Sequence, residues 1–383
     1  MAKRDIQTDL VHAGEVAPVE GAVVLPIFQS ATFTSQPGED YDDIRYLRLN
    51  NTPNHQVLHA KLATVAGGQD AVVTGSGMAA IAVTLMALLK AGDHFLAQDC
   101  LYGGTHSLFN EDVPSLGVEF DFVQGNAPQT WEALLRPTTR LVYVETMTNP
   151  LLEVADLEAV VAFAHRHGLL AVIDNTFASP VNFRPLELGF DLEIHSATKY
   201  LNGHSDIVAG CVIGSAEHVG RVVHKLNHLG STLDSHACFL LHRGLKTLAL
   251  RVRQQNENAQ RVAELLQDHG AVDRVNYPGL PDHPQHERAQ RLFDGCGGVL
   301  SFELSGGVAA AETLIEQMQL PKSAPSLGGV ESLITRPAAT SHAGMTAAQR
   351  RAIEVDDGLI RLAVGIEAAE DLCADITQAL DQL

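Results

Sequence analysis

The segment Ser196-Ala197-Thr198-Lys199-Tyr200-Leu201-Asn202-Gly203-His204 carries the residues best suited to covalent chemistry. It follows Asp191-Leu192-Glu193-Ile194-His195, which reads as a strand. Lys199 therefore stands near a strand end, beside hydroxyl residues and before a glycine. A lysine amine condenses with an aldehyde once desolvation or a nearby cation lowers its pKa. Ser196 and Thr198 can hold a phosphate beside it. The plain alternative is an ordinary surface lysine.

A second stretch points the same way. Leu169-Leu170-Ala171-Val172-Ile173-Asp174-Asn175-Thr176 is a short apolar run ending in an acid. Such runs suit parallel strands buried on both faces. An acid at the carboxyl end lies where open α/β sheets bind ligands. Lysine, phosphate-holding hydroxyls and such an acid together meet the needs of pyridoxal phosphate, whose ring nitrogen a carboxylate keeps protonated. Read alone, Asp174 could simply cap the next helix.

The chain resembles the cysteine/methionine-metabolism family of pyridoxal-phosphate enzymes, with matching stretches from Tyr46 to Glu367. The resemblance implies a fold of the aspartate aminotransferase type (fold type I), an α/β architecture with a mostly parallel sheet in a large domain and a smaller α/β C-terminal domain. It implies that Lys199 holds the cofactor and that Asp174 faces its ring nitrogen. Ser76, Gly77 and Met78 would cradle the phosphate with Ser196 and Thr198, and Tyr102 would stack on the ring and shuttle protons. Asn149 would contact the ring hydroxyl and the substrate carboxylate, which Arg361 and Ser332 would also hold. Tyr46 and Arg48 would reach a neighbouring subunit's phosphate, so the resemblance implies an oligomer, expected to be a homotetramer built as a dimer of dimers.

Composition narrows the remaining choices. A chain of 383 residues suits two domains, and 45% hydrophobic residues can fill a large core. A formal net charge of −20 argues against nucleic acid or an anionic membrane as partner. Five scattered cysteines suggest reduced thiols and a cytoplasmic location. The opening residues lack the apolar core of a signal peptide. The longest apolar run, Met78 to Leu89, is too short to span a bilayer.

The elements that must position these residues follow in chain order. Residues 1–54 read as an arm, because Pro18, Pro26, Pro37 and Pro53 interrupt helices and Glu39 to Asp43 is acidic. Residues 55–245 read as the cofactor domain and 246–383 as the C-terminal domain. A helix is expected over Asn54 to Val65, and its His55 and His59 have metal-like spacing without a third ligand, as do His224 and His228. No metal is therefore expected. Gly75-Ser76-Gly77-Met78 opens a long apolar helix after the strand Ala71 to Thr74, a geometry that frees backbone N–H groups for phosphate. Strand, helix and strand then alternate, the signature of a parallel sheet. A long helix is expected from Phe239, and strands Gly298 to Leu304 and Leu359 to Val364 build the smaller unit. Arg336 is a rival carboxylate anchor to Arg361.

The resemblance implies a trans-sulfuration enzyme acting on sulfur-containing or O-acyl amino acids by β- or γ-elimination or γ-replacement. Glu331 matches the pattern of cystathionine γ-lyase and γ-synthase, the favoured reading. Methionine γ-lyase, cystathionine β-lyase and O-acylhomoserine sulfhydrylase remain open, as does an aminotransferase on the same fold. Three positions depart from the family pattern. Ser107 stands where cystathionine-handling members carry an arginine, Arg45 where some γ-synthases carry an acid, and Met147 where proline is usual. Arg45 could instead meet a substrate's distal carboxylate. A non-catalytic regulator would need a DNA-binding segment, which the charge does not offer.

Overall fold

The computed structural model describes residues 4–35, 37–38 and 44–383; the acidic segment Glu39 to Asp43 expected in the arm lies outside them. Seven strands form the larger sheet: β1 (Asp70–Thr74), β2 (His94–Gln98), β3 (Glu119–Val123), β4 (Thr139–Glu145), β5 (Leu170–Asp174), β6 (Leu192–His195) and β7 (Gly210–Gly214). Their order is β1-β7-β6-β5-β4-β2-β3. The pairs from β6 through β5, β4 and β2 to β3 are parallel, and β7 runs antiparallel to both β6 and β1. Only β7 therefore points against the others, so the carboxyl ends of six strands share one edge.

Residues alternate along these strands between two buried faces. Val72, Phe95, Leu141, Tyr143, Val172 and Val212 pack on one side, with helix Gly77–Leu88 and helix Ala216–Leu229 over them. Val73, Leu96, Val142, Ala171 and Ile213 face the other side, under Pro53–Ala66 and Leu157–Arg166. Helix Gly77–Leu88 carries no charged residue, as expected for a helix buried among neighbours.

The smaller sheet holds β8 (Val272–Asn276), β9 (Val299–Leu304), β10 (Lys322–Ser323), β11 (Leu333–Thr335) and β12 (Ile360–Ala363), in the order β10-β11-β12-β9-β8. Its core of Leu300, Phe302, Ile334 and Leu362 is continuous with the second face of the large sheet.

Two expectations needed correction. The arm holds a helix, Ile6–His12, which starts where Asp5 accepts the Gln7 N–H and ends well before the first proline. It docks on its own chain: Ile6 and Leu10 are buried, and the buried Lys61 amine donates to the carbonyls of Leu10 and Val11 at 2.8 and 3.0 Å. The long helix expected from Phe239 is two helices, Ser235–Leu245 and Leu248–Gln267, parted at Lys246. The first starts at Asp234, whose side chain accepts the N–H groups of His236 and Ala237.

Candidate active site

The cavity that gathers the expected residues opens on the shared carboxyl edge. Its volume is about 560 Å³, and it is lined by Ser76, Gly77, Met78, Tyr102, Asn149, Asp174, Ser196, Thr198, Lys199 and Arg361. β1 delivers Ser76 to Met78, β2 Tyr102, β4 Asn149, β5 Asp174, and β6 Ser196 to Lys199. Arg361 comes from β12 in the smaller domain.

Past β1, the Ser76 hydroxyl accepts the Ala79 N–H and starts helix Gly77–Leu88. The N–H groups of that first turn point outward with the positive end of the helix dipole. A Cβ on Gly77 would stand 2.7 Å from Ser196 Cβ, so only glycine lets the two segments close around one anion. The Thr198 hydroxyl is shared with Ala209, donating to its carbonyl at 3.1 Å and accepting its N–H at 2.9 Å.

Lys199 Nζ donates to Ser326 Oγ at 2.7 Å. Burial first, and Arg361 second, lower its pKa from 10.5 to about 8. Ser326 holds φ = 104°, a left-handed conformation that a serine keeps only when its surroundings enforce it. Its carbonyl accepts from Arg361 Nη2 at 2.9 Å, and Arg361 Nη1 donates to Asn149 Oδ1 at 3.2 Å. Arg361 Nε is buried without a partner among the described residues. An unsatisfied buried donor beside an amine is a ready seat for an α-carboxylate. Arg336, the rival anchor, is turned away and bonds Glu312 and the Asp357 carbonyl.

Asp174 accepts the Thr176 N–H at 2.9 Å, and burial raises its pKa. Tyr102 is 43% exposed at the cavity and its ring lies against Gly104, where a Cβ would approach to 2.7 Å. The donor set fits pyridoxal phosphate: a depressed lysine, a helix N-terminus with hydroxyls, and a carboxylate sharing one cavity.

Five expected residues are not brought to this cavity by their own chain. Tyr46 is exposed, and Arg48 donates to the Asn227 carbonyl. Arg45 reaches Gln56 at 3.4 Å and lies over the Phe33 ring. Glu331 accepts from Ser205. Ser332 is wholly buried, its hydroxyl donating to Glu367 at 3.0 Å and accepting the Gly365 N–H at 2.8 Å.

Sequence reasoning did not name Glu145, Thr176, Phe177, Val208 and Thr340 as site residues, though all line the cavity, nor the contact of Ser326 with Lys199. Glu145 had a legible signal: like Asp174, it closes an apolar strand. Of the histidines with metal-like spacing, His55 and His59 already have hydrogen-bond partners. His55 bonds Thr52 and the Leu233 carbonyl, each at 2.8 Å, and His59 accepts the Val73 N–H at 3.1 Å. Burial lowers their pKa values to about 4 and about 3. Among the described residues no helix is long and apolar enough to cross a membrane.

The chain is similar along its length to known proteins. The chain is 39% identical to L-methionine gamma-lyase of Porphyromonas gingivalis over the whole of both chains. It is 41% identical to cystathionine beta-lyase of Bacillus subtilis, covering 99% of this chain and 97% of that one. The crystal structure of cystathionine gamma-lyase from Lactobacillus plantarum, complexed with L-serine, superposes with a TM-score of 0.94 at 37% identity, covering 99% of each chain. Residues 7–381 match the Cys/Met metabolism PLP-dependent enzyme family, and the chain belongs to that family, with pyridoxal 5'-phosphate as its cofactor.

Proposed function

We propose that the protein is a carbon–sulfur lyase that eliminates a thiol from the γ-carbon of a sulfur amino acid, with cystathionine as the expected substrate. The observation that carries this reading is the Lys199–Ser326–Arg361 chain of contacts, which sets one amine and one carboxylate seat against the same cavity. Ser76, Gly77, Met78, Ser196 and Thr198 would hold the cofactor phosphate, and Asp174 would face the ring nitrogen. Bound pyridoxal phosphate supplies an aldehyde for covalent attachment and a protonated ring that draws electrons from the substrate's α-carbon.

The chain's own residues do the rest. Arg361 and Asn149 hold the α-carboxylate, which orients the α-hydrogen toward Lys199. The lysine amine, neutral above about pH 8, accepts that proton. Tyr102, at the cavity mouth, can protonate the departing sulfur. Tyr46 and Arg48 act on a neighbouring copy's phosphate, within a homotetramer in the cytoplasm.

A second reading rests on a specific observation. The cavity's apolar lining includes Ile81, Met147, Phe177, Val208 and Leu327, and its cationic lining residues are Lys199 and Arg361 alone among the described residues. That surface favours a thioether with a neutral tail, such as methionine. Steady-state kcat/KM values of the purified enzyme with cystathionine, methionine, cysteine and O-acylhomoserines decide between them. Formation of ammonia and a keto acid without a second substrate supports elimination. Conversion of the cofactor to its amine form by the amino-acid substrate, and its return to the aldehyde by a keto acid, would replace both readings with transamination.

A further inference from the structure

Glu145 closes β4 and Asp174 closes β5, and the two are paired in the parallel register. Their side chains therefore leave the sheet on the same face. Both line the cavity, and they are only 5% and 9% exposed. Asp174 accepts the N–H of Thr176 at 2.9 Å. Glu145 accepts the N–H of Tyr102 at 2.8 Å.

The groups around Glu145 give its charge little support. Asp174 faces it from β5, Tyr143 from its own strand, and Cys100 and Tyr102 from the loop after β2; none of these supplies a positive charge. Lys199 and Arg361 share the cavity, but their hydrogen bonds go to Ser326 and Asn149. Two carboxylates side by side in a buried site do not both ionise without such help.

We propose that Glu145 carries a proton at neutral pH and acts as an uncharged positioning residue, its carbonyl oxygen pinning the Tyr102 backbone while Asp174 alone keeps the pair's negative charge. Burial, with Asp174 next, holds the Glu145 carboxyl well above the usual carboxylate range. The Thr176 side chain and N–H favour the ionised form of Asp174. The anchor matters because Tyr102 is 43% exposed and packing alone does not fix its ring. The tyrosine opens the short helix Gly103–Ser107, so its N–H sets where that helix begins. The arrangement leaves one negative charge to face one protonated ring nitrogen. The inference deepens the reading of the site given above, but its charge test does not depend on that reading.

The test uses the holoenzyme and two variants. Infrared spectra at neutral pH should show the carbonyl stretch of a protonated carboxylic acid in the native protein, and Glu145→Gln should lose it. Isoelectric focusing of Glu145→Gln should match the native protein, since one uncharged group replaces another. The cofactor's visible band and its pH titration should also be unchanged, with kcat/KM within about 3-fold. Glu145→Ala, which strips the acceptor from Tyr102, should lose kcat/KM by about 5- to 150-fold. Glutamine in place of that alanine should restore it. An upward shift in the isoelectric point of Glu145→Gln would overturn the proposed protonation state. Native kcat/KM in Glu145→Ala would overturn the positioning role. If the alanine variant fails to fold, Glu145→Gln still carries the positioning test: loss of the cofactor band or of more than about 100-fold in kcat/KM would reject it.

Discussion

Lys199 and Ser326 are 127 positions apart in the chain and 2.7 Å apart in the fold. The amine on the large domain donates to a hydroxyl on the loop that leads into the small domain's β11. The same serine's carbonyl accepts from Arg361. One residue thus ties the amine to the Arg361 guanidinium.

Ser326→Ala should cut that tie while leaving the carbonyl in place. A neutral hydrogen bond contributes about 0.5–1.5 kcal/mol, so kcat should fall about 2- to 12-fold with cofactor content intact. Pre-steady-state measurement of α-proton removal is the direct readout. An unchanged rate would show that Ser326 does not position the amine.

Lys199 should carry the cofactor. Borohydride reduction and peptide mapping should place the pyridoxyl group on Lys199, and finding it on Lys246 would refute the assignment. In the cofactor-free protein the rate of covalent attachment should rise with pH and level off above about 8, where the amine is neutral. A plateau reached only near the ordinary value of 10.5 would show that burial does not act. The sign for stability follows from the same shift. A base whose folded pKa is depressed burdens the fold below about pH 8, and that burden lifts as the pH rises toward 10.5.

Asp174→Asn should keep much of the bound cofactor and lose most turnover. Removing a key electrostatic partner costs at least ~100-fold in kcat. Near-native turnover with a native cofactor spectrum would mean that Asp174 does not govern the ring nitrogen.

The arm offers a test of assembly. Val23 is 94% exposed and Tyr46 39% exposed, although both are apolar-bodied. A Tyr46→Phe variant mixed and refolded with a Lys199→Ala variant should regain activity neither has alone, because one hybrid site then holds both native residues. A fully active monomer by light scattering would remove the need for a neighbour.

Arg45 separates two accounts of the distal end. If it meets a second carboxylate from a neighbouring copy, Arg45→Ala should raise KM for cystathionine about 5- to 150-fold and leave methionine unchanged. If its contacts with Gln56 and Phe33 are its whole role, both substrates should respond equally.

The sequence by itself determined the covalent lysine, the ring-facing acid and the phosphate turn as candidates. Lys199, Asp174 and Ser76 to Met78 each sit just past or at the end of an apolar strand, and strand ends are written locally in apolar runs and glycines. Parallel order then puts such ends on one edge, so the large sheet followed from the repeated strand–helix pattern. What the tertiary structure alone decided depends on distant pairs. Nothing near Ser332 announces that its hydroxyl is taken by Glu367, 35 residues on. Nothing near Lys61 announces that it caps a helix at the start of the chain. Glu145 closes its strand as Asp174 does, yet only the pairing of β4 with β5 makes the two acids neighbours. Local pattern sets which backbone forms; the low dielectric of the packed interior then decides which polar groups must find each other, and that choice is made across the fold.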